Sequence, residues 1–134
     1  MPLDEFQKTK HPQRVLIVDD NVDAAHILCV LLEMMGHDCR NVNDPKTAIP
    51  LADVVPPSVF ILDIGMPGMD GYTLGHELKK NHPTATYIGH SAWKRNLERQ
   101  NEAKFVFDYF LQKPMSVAEC LNLLETIRPK QDPA

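Results

Sequence analysis

Two adjacent acids, Asp19 and Asp20, follow a short apolar run, Val15-Leu16-Ile17-Val18. A third acid, Asp63, follows a second run, Val59-Phe60-Ile61-Leu62, while Ser91 and Lys113 stand at the ends of two further ones. If folding brings the three carboxylates together they repel one another and need a cation. An all-oxygen cluster that small and hard suits Mg2+, which keeps waters and shares its coordination with a phosphate. A lysine ammonium and a hydroxyl beside it hold phosphoryl oxygens and offset developing charge, which is most of what phosphoryl transfer asks of a protein. Taken singly, each residue also has a plainer role. An Asp-Asp-Asn after a strand serves turn and cap chemistry, Lys-Pro is a loop, and Ser-Ala carries almost no information. Order and position along the chain give these residues their weight.

The elements that must position them are legible from periodicity. Residues 1–13 are polar with two prolines and read as a flexible N-terminal tail. Val15–Val18 is β-branched-rich and continuous, as expected of a central parallel strand covered on both faces. Asn21 is a plausible N-cap for a helix from Val22 to Met35, with apolar Val22, Ala25, Cys29 and Leu32 at helical spacing and Gly36 as its stop. A weak strand around Cys39–Val42 precedes Asp44-Pro45, a cap with proline at the first helical position, and Pro50 should kink or shorten the helix behind it. Val59–Leu62 is the third strand; Gly65-Met66-Pro67-Gly68 leads to a helix with Leu74 and Leu78 on its apolar face. Tyr87-Ile88-Gly89 and Tyr109-Phe110-Leu111 are the fourth and fifth strands, and Val117, Leu121, Leu124 and Ile127 form the stripe of a last helix. The segment 94–104 permits a helix but offers only Leu97 and Ala103 as apolar anchors, so packing holds it weakly. Strands alternating with helices imply an α/β fold with a parallel sheet covered on both faces. Right-handed crossovers then gather the strand C-termini, and with them the polar outliers, at one edge.

Composition bounds the class. The chain of 134 residues, 43% hydrophobic and 24% charged, is one domain of ordinary globular type. A net charge of −4 without a dense basic cluster argues against nucleic acid as a partner. No apolar run approaches the roughly 20 residues a membrane span needs, and the N-terminus lacks the pattern of a signal peptide. The three cysteines, Cys29, Cys39 and Cys120, are widely spaced in apolar stretches and read as buried reduced thiols, which fits a cytoplasmic protein. The six histidines form no metal-ligand spacing, and only His90, directly before Ser91, is near enough to touch the site.

Val15-Leu16-Ile17-Val18-Asp19-Asp20-Asn21, the run from Ile61 to Gly71 around Asp63, Ser91-Ala92 and Lys113-Pro114 together closely resemble the receiver domains of two-component response regulators, the CheY-like family. The resemblance covers about 14–128, leaving 129–134 as a C-terminal tail. It implies a doubly wound five-stranded parallel sheet of order 2-1-3-4-5 flanked by five helices, flavodoxin-like. It also implies that Asp63 is the phosphoacceptor, that Asp20 binds Mg2+ directly and Asp19 largely through water, and that the Gly65 carbonyl is a further metal ligand. Lys113 would pair with the carboxylate and then with a phosphoryl oxygen, and the Lys113-Pro114 bond would be cis. Ser91 would hydrogen-bond the phosphoryl group, and Phe110 would occupy the place of the aromatic switch.

Four positions depart from the family pattern. Trp93 is bulky, Gly65 has no side chain to orient an attacking water, Phe110 lacks a tyrosine hydroxyl, and Val106 stands where glycine is common. Trp93 is expected to shield the acyl phosphate and slow its hydrolysis. The resulting expectation is a stand-alone signalling switch that catalyses only its own phosphorylation and dephosphorylation. Its partners would be a sensor histidine kinase or histidine phosphotransfer protein and a downstream protein target, with neither nucleic acid nor membrane. Three alternatives stay open: a receiver excised from a hybrid histidine kinase, a pseudo-receiver binding module, and a haloacid-dehalogenase-type phosphatase. The last wants a second acid two residues after its nucleophile, where Gly65 stands.

Overall fold

The computed structural model describes residues 8–66, 68–92 and 106–130. Five strands, β1 (Arg14–Val18), β2 (Asp38–Val42), β3 (Val59–Asp63), β4 (Thr86–Ser91) and β5 (Tyr109–Gln112), form one sheet of order β2-β1-β3-β4-β5. Every neighbouring pair is parallel. Four helices are described: α1 (Val22–Met34), α2 (Pro45–Val54), α3 (Gly71–Asn81) and α4 (Val117–Thr126). The helix expected over 94–104 and Trp93 lie outside the described residues, so α4 is the helix placed last by the sequence pattern. No helix among the described residues is long and apolar enough to cross a membrane.

Each helix begins where a short polar side chain accepts an otherwise orphaned N–H. Asn21 takes Ala24 N–H at 3.1 Å, Asp44 takes Lys46 N–H at 2.9 Å, Asp70 takes Thr73 N–H at 2.9 Å, and Ser116 takes Glu119 N–H at 3.3 Å. Gly36, at φ +100°, ends α1 in the left-handed region, where a Cβ is unfavourable. Helix α2 runs on through Pro50 to Val54, although Pro50 has no N–H for the preceding turn.

Successive residues of a strand point to opposite faces, and the core divides accordingly. Val15, Ile17, Val59, Ile61, Ile88 and Leu111 pack against α1 and α4. Leu16, Val18, Phe60, Leu62 and Tyr87 pack against α2 and α3. Because the three inner strands β1, β3 and β4 are covered on both sides, a polar side chain has a place on them only near the ends.

The cysteines correct the sequence expectation. Cys29 on α1 and Cys39 on β2 form a disulfide, with Cα atoms 5.3 Å apart, inside the range a disulfide spans. They stand ten positions apart in sequence, but β2 returns alongside β1 beneath α1 and brings the two inner faces together. The pairing removes the cysteine argument for a reducing compartment. Only Cys120 keeps the expected form, a free buried thiol whose pKa burial pushes up to about 12.

Candidate functional site

Strand alternation places the site. Asp19, Asp63, His90 and Lys113 stand two residues beyond Ile17, Ile61, Ile88 and Leu111, all of which face α1 and α4. Extending the period by one step carries all four side chains to the same side of the sheet at its C-terminal rim. Asp19, Asp20 and Asp63 each bring a carboxylate oxygen within 4.8 Å of the others. Lys113 Nζ lies 3.1 Å from Asp63 Oδ2 and 3.6 Å from Asp19 Oδ2.

Local backbone fixes the acids. Asp19 Oδ1 accepts Asn21 N–H at 2.9 Å, and Asp63 Oδ1 accepts Gly65 N–H at 3.1 Å. Gly71 lets α3 start close behind Asp63, since a Cβ there would lie 2.6 Å from the Asp63 carbonyl oxygen. That requirement at Gly71 was not anticipated from the sequence; a glycine directly after a helix N-cap was its only signal. Across the rim, Ser91 ends β4 and its carbonyl accepts Lys113 N–H at 2.8 Å, and the Lys113–Pro114 peptide is cis. Phe110 is half exposed and lies across Gly89, against the ring of Phe107. Val106 is buried against Gly75.

The electrostatics are uneven. Asp19 and Asp63 are both buried while Asp20 is exposed. Burial pushes the Asp63 carboxyl above the ordinary carboxylate range, and the neighbouring Asp20 and Asp19 add to this against Lys113 and the Gly65 N–H. Burial also acts upward on Asp19, but His90, the Asn21 N–H, Lys113 and Asp63 outweigh it and hold that carboxyl at about 2. Burial opposes the Lys113 charge, yet Asp63, Asp19 and Asp20 raise its pKa. Three carboxylates therefore share one ammonium. A hard divalent cation fits this donor set, because all donors are oxygen and the cluster carries excess negative charge.

Residues 15–125 match the response regulator receiver domain family. The chain belongs to that family. A receiver domain (CheY-like) from Methylobacillus flagellatus superposes with a TM-score of 0.78 at 28% identity, over 87% of this chain and 99% of that one. An uncharacterized 14.6 kDa protein in the sodA1 3' region of Leptolyngbya boryana is 31% identical over 114 residues, 83% of this chain and 86% of that protein. The sensor histidine kinase RcsC of Escherichia coli is 28% identical over 122 residues, which is 88% of this receiver but 13% of the kinase.

Proposed function

We propose that this receiver accepts a phosphoryl group from a phosphohistidine onto the Asp63 carboxylate, with Mg2+ held by Asp20, Asp63 and the Gly65 carbonyl and, largely through water, by Asp19. The observation that carries the reading is the placement of Asp63: buried at the end of β3, two further carboxylates within 4.8 Å, one ammonium at 3.1 Å. Bound Mg2+ supplies neutralisation of the crowded carboxylates and of the incoming phosphoryl oxygens.

The chain's own groups do the rest. A carboxylate oxygen of Asp63 forms the O–P bond as the P–N bond of the donor breaks, and the imidazole leaves. Lys113, already against Asp63, takes a phosphoryl oxygen in place of carboxylate charge. The Ser91 hydroxyl donates to another phosphoryl oxygen and draws its loop toward the site. Phe110, exposed over a glycine, has room to turn with it. Because Phe110 carries no hydroxyl, its two positions differ by packing alone. The modification thus biases a two-state surface around β5 and α4, where Tyr109 and Phe110 are exposed.

A sensor histidine kinase or a histidine phosphotransfer protein is the donor in this reading. Helix α1 leaves directly from the acid loop and exposes Val22, Ile27, Val30 and Met34, an apolar strip suited to a partner's helix. Output passes to a downstream protein by contact, and the only reaction catalysed is the receiver's own phosphorylation and dephosphorylation. The match to RcsC supports a second reading, in which the receiver works as a segment of a larger kinase; the chemistry at Asp63 is the same in both.

Incubation with acetyl phosphate and Mg2+, followed by intact mass, tests the proposal. One added phosphoryl group is expected in the wild-type protein and none in Asp63→Asn. An unmodified wild type would leave a constitutive binding module instead.

A further inference from the structure

His90 stands on β4 directly opposite Asp63 in the strand register. All of β4 from Thr86 to His90 is buried, and a central parallel strand covered on both faces ordinarily carries apolar side chains there. An imidazole occupies that place at 8% exposure, and its Nε2 is buried without a hydrogen-bond partner. A buried nitrogen left without a partner is unfavourable. A valine would fill the strand with no such loss, so the packing gives no reason for a histidine.

The contact the ring does make is with Asp19: Nδ1 lies 3.7 Å from Oδ2. The Asp19 carboxylate is otherwise held by the Asn21 N–H on Oδ1 at 2.9 Å and by Lys113 Nζ at 3.6 Å from Oδ2. Of these, Lys113 stands closer to Asp63, at 3.1 Å, and is the group that turns to the phosphoryl oxygens when Asp63 reacts. Among the described residues His90 has no second partner to turn to.

We propose that His90 is a positioning residue that keeps the Asp19 carboxylate oriented for a divalent cation, and that the strand carries its orphaned nitrogen for that purpose. The proposal rests on reading Asp19, Asp20 and Asp63 as a cation site. Outer partners of metal-ligating carboxylates fix their orientation, and their loss costs about 10–100-fold in metal affinity. The Nδ1 distance here is long and Asp19 reaches the cation largely through water, which together place the expected loss at the lower end.

The test is calorimetric titration of the unphosphorylated full chain with Mg2+, together with thermal unfolding in EDTA, for wild type, Asp20→Asn, His90→Val and His90→Asn. His90→Val is expected to bind Mg2+ about tenfold more weakly while melting at the same temperature as wild type or higher in EDTA. His90→Asn, whose amide nitrogen can take the place of Nδ1, is expected to regain most of the affinity. Two results overturn the proposal: His90→Val binding as tightly as wild type, or His90→Val melting lower or failing to fold. The underlying cation reading fails separately, if wild type shows no Mg2+ binding that Asp20→Asn abolishes.

Discussion

The two rims of the sheet handle buried polar groups in opposite ways. At the N-terminal rim most of the groups satisfy one another, His37 Nε2 being the exception. The Gln13 amide donates to the carbonyls of Ile127 at 3.1 Å and Leu124 at 3.5 Å, and its Oε1 accepts the Ser58 hydroxyl at 2.9 Å. The Gln13 N–H goes to His37 Nδ1 at 3.0 Å. Asp108 takes both the Tyr87 N–H at 2.8 Å and the Lys130 ammonium at 2.7 Å. At the C-terminal rim three carboxylates meet one lysine. The first rim is closed by protein atoms except at His37 Nε2, which is buried without a partner; the second is left short of positive charge, which a cation from outside would supply. A buried polar cluster is structural when its own atoms complete it, and a candidate site when they do not.

Substitutions should therefore act with opposite sign at the two rims. The largest effect is expected from Gln13→Ala, which removes three side-chain hydrogen bonds and should cost about 3 kcal/mol in urea unfolding. A loss below about 1 kcal/mol would mean that the N-terminal rim is not the closed network described. Next, Mg2+ at a hundredfold above its dissociation constant should stabilise the wild type by about 2.7 kcal/mol; an unchanged melting temperature would erase the contrast between the rims. Asp63→Asn, which relieves one charge of the crowded cluster, should stabilise the apo protein by about 1–2 kcal/mol while abolishing phosphorylation. Destabilisation there would show that the cluster is already balanced.

The smallest effect is pH-dependent. Burial holds the His37 imidazole below its ordinary pKa of 6.5, against the opposing influence of Glu125. A base whose folded pKa is depressed takes up its proton more readily when unfolded. Its contribution to stability is therefore full above 6.5 and is lost as pH falls below that value. Protonation would also deprive the Gln13 N–H of its acceptor. Replacing His37 with glutamine should flatten the slope of stability between pH 7 and pH 5.5; an unchanged slope would place the titration elsewhere.

The site was legible because the inner strands, covered on both faces, leave polar residues only near their ends, and Asp19, Asp20 and Asp63 fall there, with Lys113 at the end of β5. The parallel order followed from the family resemblance, and the registers agree with it. His90 was legible as a neighbour of the site, but its contact with Asp19 needed the strand phase: it lies in step with Ile88, whereas Ser91 does not. The Cys29–Cys39 bond was hidden because it depends on the rotation of α1 over β2, which no local pattern specifies. Gln13 was equally silent, since its partners lie at the far end of the chain and nothing near it in sequence marks a buried amide. The loop residue Trp93 and the 94–104 segment fall outside the described residues, and the expectation of slow hydrolysis stands on the sequence alone.

The central claim is that Asp63 is the acceptor and depends on a divalent cation. Borohydride reduction after acetyl phosphate treatment, followed by peptide sequencing by mass spectrometry, converts an aspartyl phosphate to homoserine at the modified position. The account predicts homoserine at position 63 alone, present with Mg2+ and absent with EDTA. Homoserine at another carboxylate, or at position 63 equally without the cation, would contradict it.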